Sequence, residues 1–197
     1  MERSRMIPLI IDISDLRVLV FGFGTVGKRK ADYFKDEAKE IRILEKEDVP
    51  AEDTELASLI ESYDIIITAT NDPAFNTKVC EIAKDRKKWY NSATDAGSFL
   101  IPAAFRKGDV SFAVSTSGKS PAVSSFIKEE LQKSASIHPL QRMMELQVKL
   151  RGILAEKEPS QEERATILKK VLRDSSVWKD LTDGKEVDSK ELLTRYK

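Results

Sequence analysis

A chain of 197 residues with 41% hydrophobic content is long enough for one full domain and a smaller appendage, and it can bury a genuine core. Its 33 basic and 33 acidic side chains cancel to a formal net charge of zero, which gives no support to nucleic-acid binding by bulk electrostatics, so any anionic ligand must be met by a local patch. The single cysteine, Cys80, excludes an intramolecular disulfide and a cysteine-based metal cluster and fits a reducing, cytoplasmic setting, while no apolar run approaches the roughly 18 residues of a membrane span and no targeting signal is legible.

The short apolar run Met6-Ile7-Pro8-Leu9-Ile10-Ile11 precedes a strand-like segment, Arg17-Val18-Leu19-Val20-Phe21, which leads directly into Gly22-Phe23-Gly24-Thr25-Val26-Gly27. A G-x-G-x-x-G run between strand and helix reads as a dinucleotide pyrophosphate clamp. Gly22 makes the tight turn, Gly24 lets the backbone approach the pyrophosphate, and Gly27 lets the helix pack closely on the strand. The first turn, with Thr25 and Val26, offers unpaired amides and partial positive charge to the anion. A helix is expected over about Thr25 to Lys35.

The next apolar run, Ile41-Arg42-Ile43-Leu44, ends at Glu45, about 18 residues beyond the last glycine, where a ribose-binding acid belongs. An acid there favours NAD, whereas Arg42 and Lys46 leave NADP open. A helix near Ala51 to Ser62 follows, then Asp64-Ile65-Ile66-Ile67-Thr68-Ala69, apolar without alternation as in a parallel strand covered on both faces. Asn71-Asp72-Pro73 breaks that strand and starts a helix with Phe75, Val79 and Ile82 inward. Trp89 to Ser92 reads as a fourth strand.

This alternation predicts an α/β protein with a Rossmann-type, doubly wound parallel sheet over residues 1–112. Ligands in such sheets sit beyond the carboxyl ends of the strands, so the glycine loop, Glu45, Thr70-Asn71-Asp72 and Ser92 to Asp95 are expected to share one crevice. Asp95 is a carboxylate at the mouth of the fourth strand, where a general base can sit.

From Phe99 the pattern changes. Phe99-Leu100-Ile101-Pro102 and Asp109 to Val114 are strand-like and joined by Arg106-Lys107-Gly108. Ser115-Thr116-Ser117-Gly118-Lys119-Ser120-Pro121 then joins a strand to a helix that has serine as N-cap and proline at its first position. Hydroxyls, amides and one lysine make this an anion loop, with Ser117, Lys119 and Ser120 as ligand candidates. It is not a P-loop, because the required first glycine would fall at Ala113. Residues 113–155 form a region whose helix from Pro139 to Leu154 carries enough apolar surface to need a partner, and residues 156–197 a helical C-terminal region of two short helices. Those two are announced by Ser160-x-x-Glu163 and Asp188-x-x-Glu191, with Gly184 as a stop.

The ordered set resembles the precorrin-2 dehydrogenases, including the bifunctional dehydrogenase and ferrochelatase of siroheme synthesis. The resemblance rests on the proline-containing lead, the glycine loop with Lys28-Arg29-Lys30, Thr68-Ala69-Thr70-Asn71-Asp72, and Asn91-Ser92-Ala93-Thr94-Asp95. Phe99-Leu100-Ile101-Pro102-Ala103 and the Ser115 to Ala122 block complete it, over residues 6 to about 155. It implies NAD-dependent oxidation of precorrin-2 to sirohydrochlorin, with Asp95 as proton acceptor. It further implies Ser117, Lys119 and Ser120 on substrate carboxylates, helped by Arg106, Lys107 and Lys128, and an intertwined homodimer, with residues 113–155 as the dimerisation and substrate region and the apolar helix 139–154 suited to the dimer contact. This chain departs from the family in carrying Asp36-Glu37-Ala38-Lys39-Glu40 before the second strand. Ferrochelation stays open, since His138 is the single histidine. A module that senses NAD(H) without catalysis is the alternative from another class, and it would need neither Asp95 nor Lys119.

Overall fold

The computed structural model describes residues 6–94, 97–134 and 137–196. The chain divides into two compact units, Met1–Ile101 and Pro102–Lys197.

In the first unit, β1 (Arg17–Phe21), β2 (Glu40–Leu44), β3 (Ile65–Thr68) and β4 (Trp89–Ser92) form a parallel sheet in the order β2-β1-β3-β4. Three helices cross between them: α1 (Thr25–Phe34), α2 (Asp53–Glu61) and α3 (Pro73–Asp85). β3 is buried along its whole length, because a parallel sheet covered on both faces has no polar side to offer water. One face packs Val18, Val20, Ile65 and Ile67 under Ala31 and Phe34 of α1, and the other packs Leu19, Phe21 and Ile66 against Leu56 and Ile60 of α2 and Val79 and Ala83 of α3. The two faces therefore alternate residue by residue along each strand. Asp72 caps α3 by accepting from the Phe75 amide at 3.0 Å, with Pro73 at the first helical position.

The amino-terminal edge of the sheet is closed by ion pairing. Arg17 Nε donates to Glu40 Oε2 at 2.8 Å, and the Tyr63 hydroxyl donates to Glu40 Oε1 at 2.9 Å. These bonds hold the Glu40 carboxyl below its ordinary range.

The segment Phe99 to Pro102, expected as a strand, is irregular, and the strand begins at Ala103. Pro102 has no amide for a ladder, the Phe99 carbonyl is taken by Asn91 Nδ2 at 2.9 Å, and Phe99 and Ile101 pack on the α1 side of the first core.

In the second unit β5 (Ala103–Lys107) and β6 (Val110–Val114) form an antiparallel hairpin with Phe105 stacked on Phe112, centroids 4.7 Å apart. Helix α4 (Pro121–Lys133) packs against both strands. Helices α5 (Leu140–Lys157), α6 (Gln161–Arg173), α7 (Ser175–Thr182) and α8 (Ser189–Tyr196) enclose a core of their own. Met143, Leu146, Leu150 and Leu154 of α5 are buried there against Ile167, Val171, Val177, Leu181, Leu192 and Leu193. The partner that α5 requires is thus the last three helices of the same chain. Three helices follow α5 where two are expected. Asp174 both ends α6 and caps α7, accepting from the Ser176 amide at 2.7 Å, so a single residue hides the boundary, and Gly184, at φ +77°, stops α7. The Tyr196 hydroxyl donates to the Asp174 carboxylate, which with Ser176 holds that carboxyl down to about 2 and ties α8 to this junction. Among the described residues no helix is long and apolar enough to cross a membrane.

Leu150 is fully buried at the centre of the helical core. Leu150→Ala is expected to destabilise this unit by about 3 kcal/mol through lost burial and a residual cavity. Urea unfolding followed by Trp178 fluorescence in a Trp89→Phe background checks this.

Candidate functional site: a dinucleotide crevice

Strand register sets the site. Phe21 pairs with Leu44 on one side and Thr68 on the other, and Thr68 pairs with Ser92. The four strands therefore end level, and Glu45, Gly22, Ala69 and Ala93 leave the sheet side by side along one edge. At the usual strand spacing that row spans about 14 Å. The order reverses between β1 and β3, since the chain goes from β1 outward to β2 and returns to β3, which opens a crevice above the glycine loop.

The glycines differ in what they face. Gly22 has φ +94°, and a Cβ there would stand 2.6 Å from the Ala69 carbonyl oxygen, so the turn approaches the end of β3 as only glycine can. A Cβ on Gly27 would stand 2.0 Å from the Gly22 oxygen, and this contact sets α1 against the loop. A Cβ on Gly24 would meet nothing within 4 Å. The open space lies at the start of α1, whose first bond of this kind runs from Lys28 N to Gly24 O, leaving the amides of Thr25, Val26 and Gly27 ahead of it. Gly24, Thr25 and Val26 are exposed. An exposed row of helix N-terminal amides beside free volume fits a pyrophosphate.

Glu45 is exposed directly after β2, and its amide donates to Asp48 Oδ2 at 3.3 Å, so the acid stands on a short 3₁₀ turn (Lys46–Asp48). A carboxylate there is chemically suited to a ribose hydroxyl. After β3, Thr70 is held by Asn76. Thr70 Oγ1 donates to Asn76 Oδ1 at 2.7 Å and Asn76 Nδ2 donates to the Thr70 carbonyl at 3.0 Å, while Asn71 is exposed. Asn76 is fully buried and was not singled out from sequence, although an amide among the inward positions of a helix is itself a signal. Asp95 lies outside the described residues.

The loop from Ser115 to Pro121, expected to bind an anion, belongs to the second unit. Ser117 at φ +54° and Gly118 at φ +77° are consecutive left-handed residues, a conformation that turns successive amides toward one point. Ser117 and Lys119 are exposed. Ser120 caps α4, its Oγ accepting from the Val123 amide at 3.4 Å, and its own amide donates to Thr116 Oγ1 at 3.0 Å. Thr116, also not singled out, thereby locks the loop. A different concavity of about 520 Å³ in this unit is bordered by Glu158, Glu162 and Glu163 against a single cation, Lys170, a net negative lining that disfavours a carboxylated ligand. His138 is exposed, and among the described residues no group of three or more His, Cys, Asp or Glu is arranged to hold a metal ion.

Lys30, on the buried side of α1, is 8% exposed, and its Nζ meets no hydrogen-bond partner among the described residues. Burial, with a smaller contribution from neighbouring Arg29, lowers its pKa from the ordinary 10.5 to about 8.

The level strand ends and glycine turn define a Rossmann-type dinucleotide-binding protein. Accordingly, residues 9–103 match a family described as NAD(P)-binding. The precorrin-2 dehydrogenase of Methanosarcina barkeri is 30% identical over 204 residues, covering 94% of this chain and 91% of its own length. A relative from Methanocaldococcus jannaschii is 30% identical over 202 residues, 89% of this chain and 94% of its own. The solved structure of the precorrin-2 dehydrogenase SirC shares the fold, with a TM-score of 0.65 at 23% identity over 97% of this chain and 98% of that one. The chain belongs to the precorrin-2 dehydrogenase family.

Gly24→Ala is expected to leave the melting temperature unchanged while weakening NADH binding at least tenfold, because the new methyl group enters only the ligand's space. Fluorescence titration beside thermal unfolding separates the two effects. A second expectation concerns pH. The unfolded chain keeps its lysine protons to about 10.4 while folded Lys30 gives its proton up near 8, so stability rises between these values. The rise is at most about 3 kcal/mol, and below pH 8 the burial cost is present in full. Lys30→Met lacks this rise, as urea unfolding at pH 7 and pH 10 would read.

Proposed function

We propose that the chain oxidises precorrin-2 to sirohydrochlorin with NAD⁺ in the cytoplasm, a step of siroheme biosynthesis. The observation that carries this reading is 30% identity to the Methanosarcina barkeri precorrin-2 dehydrogenase across 94% of the chain, joined to a glycine turn shaped for a dinucleotide. Bound NAD⁺ would supply the hydride acceptor.

The residues of the chain bind and orient. Gly22, Gly24 and Gly27 with the amides of Thr25 and Val26 hold the pyrophosphate, Glu45 accepts from the ribose hydroxyls and so prefers NAD to NADP, and Thr70 and Asn71 border the far half of the coenzyme. Asp95, by its match to the family's motif and its position after β4, accepts the proton that leaves the tetrapyrrole as hydride passes to the coenzyme. One hydride and one proton are removed, giving sirohydrochlorin, NADH and H⁺. Ser117, Lys119 and Ser120 receive carboxylates of the substrate. A neutral chain needs such a local basic point to attract a polyanion. The same Asp95 carboxylate would take pyrrole protons if Fe²⁺, as substrate, is inserted into the product. A homodimer is part of this reading, and α4 leaves Val123, Phe126 and Ile127 exposed as an apolar face for a second copy.

Freshly prepared precorrin-2 with NAD⁺ is expected to give NADH at 340 nm. Asp95→Ala is expected to lower kcat at least a hundredfold with NADH affinity unchanged within about twofold. Absence of NADH with wild-type protein would sink the assignment. Metallation no faster than background on adding Fe²⁺ or Co²⁺ would remove the chelatase step alone.

A further inference from the structure

Two buried polar atoms in the first unit are left without partners among the described residues and are complementary: Lys30 Nζ, a donor, and Asn91 Oδ1, an acceptor. Lys30 is 8% exposed and Asn91 5%. They face one layer. Asn91 pairs in parallel register with Ile67, and Ile67 with Val20, so its side chain projects on the face that Ala31 and Phe34 of α1 cover, and Lys30 lies on the buried side of that helix. Asn91 Nδ2 donates to the carbonyl of Phe99, which packs in this same layer.

The layer sits immediately beneath the crevice. Asn91 is one residue from the end of β4, and Gly27, one turn before Lys30, touches the glycine loop and Ala69.

We propose that Lys30 is a positioning residue of the coenzyme site, its ammonium joined to Asn91 Oδ1 across one ordered water and so bracing the end of β4 where it floors the crevice. This rests on the coenzyme reading of the glycine loop. Asn91 carries the brace onward through Nδ2 to Phe99, and the neighbouring Tyr90 amide and carbonyl are both joined to Ser98, so the base of the segment after β4 is clamped at two adjacent residues. A leucine or methionine at position 30 would complete the apolar layer at no desolvation cost. An amine kept there at a cost to stability is the pattern of a functional group.

The charged and titratable neighbours are few. Arg29 on the same helix and Cys80 on α3 act on Lys30. On the strands under α1, Arg17, Glu40 and Asp64 are joined to one another at the amino-terminal edge, and Arg42, registered with Leu19, is on the opposite face. Loss of the Lys30 proton therefore removes the ammonium from this layer, and coenzyme affinity falls with it.

The test uses the full chain and NADH. With lysine side chains labelled with carbon-13, the Lys30 titration midpoint is expected below that of an exposed lysine, lowered further by Asn91→Leu and raised by more than one pH unit by Asn91→Asp. NADH titrations from pH 6 to 9.5 are expected to show wild-type affinity falling about tenfold as Lys30 deprotonates. Lys30→Met is expected to be weak and flat across the range, and Lys30→Arg to recover affinity at the alkaline end. A midpoint indifferent to both Asn91 substitutions, or Lys30→Met binding NADH as wild type does, overturns the proposal. If wild-type protein binds no NADH, it is the coenzyme reading that fails, and the lysine midpoint still decides the Lys30–Asn91 contact.

Discussion

The close approach of Gly22 to the end of β3 is the constraint on which the first unit depends. The Gly22 turn must pass within contact of the Ala69 carbonyl for β1 and β3 to end level, and α1 must start against the Gly22 oxygen for its apolar side to reach Val18 and Val20. A side chain at either glycine would push the helix off the sheet. It would also move the row of amides that opens α1. The geometry that completes the core is therefore the geometry that creates the anion site, and the chain cannot keep one without the other.

Much of this was legible because each signal has a local cause. An unalternating β-branched run such as Ile65-Ile66-Ile67 has few uses outside a doubly covered strand, and Ser120-Pro121 and Asp72-Pro73 announce helix starts through capping chemistry that two or three residues contain. Glu45 could be placed by counting from the last glycine, since one helix and one strand of ordinary length separate them. The features that escaped depend on contacts distant in sequence. Nothing near Phe99 indicates that its carbonyl will be claimed by Asn91, and nothing within α5 indicates whether its apolar side will meet a second subunit or Ile167 and Leu192 of its own chain. The α6–α7 boundary escaped for a different reason. Asp174 serves two helices at once, and a cap without a turn of its own leaves no gap in the pattern.

Among the site residues, the ones read from sequence are those that face outward, and the ones missed hold them. Thr70 was visible as a polar residue beyond a strand, whereas Asn76, which fixes it with both ends of an amide, lies among the apolar positions of α3. Thr116 stands in the same relation to Ser120. Lys30 could be seen only as part of a basic run, because Lys28 and Arg29 beside it are exposed and the periodicity that turns the third cation inward depends on where α1 is set by Gly27. Supporting polar groups are hard to find in a sequence because they occupy positions that the hydrophobic pattern assigns to the core.

A formally neutral chain that is to hold an anion must create positive potential without net charge, and backbone geometry is suited to that task. An amide dipole needs no counter-ion and costs nothing in solubility, and at a helix start several point the same way. The first unit has such amides at the open end of α1, and the second turns successive amides the same way at the left-handed pair Ser117-Gly118 ahead of α4. The nearest cations in sequence are one lysine in the second loop and a run of three residues, Lys28 to Lys30, after the first. Lys28 and Arg29 of that run are exposed to solvent and screened by it. Of the three, Lys30 is the one in low-dielectric surroundings, where a single charge acts over a longer range, which is why the proposed role falls to the buried member of the run.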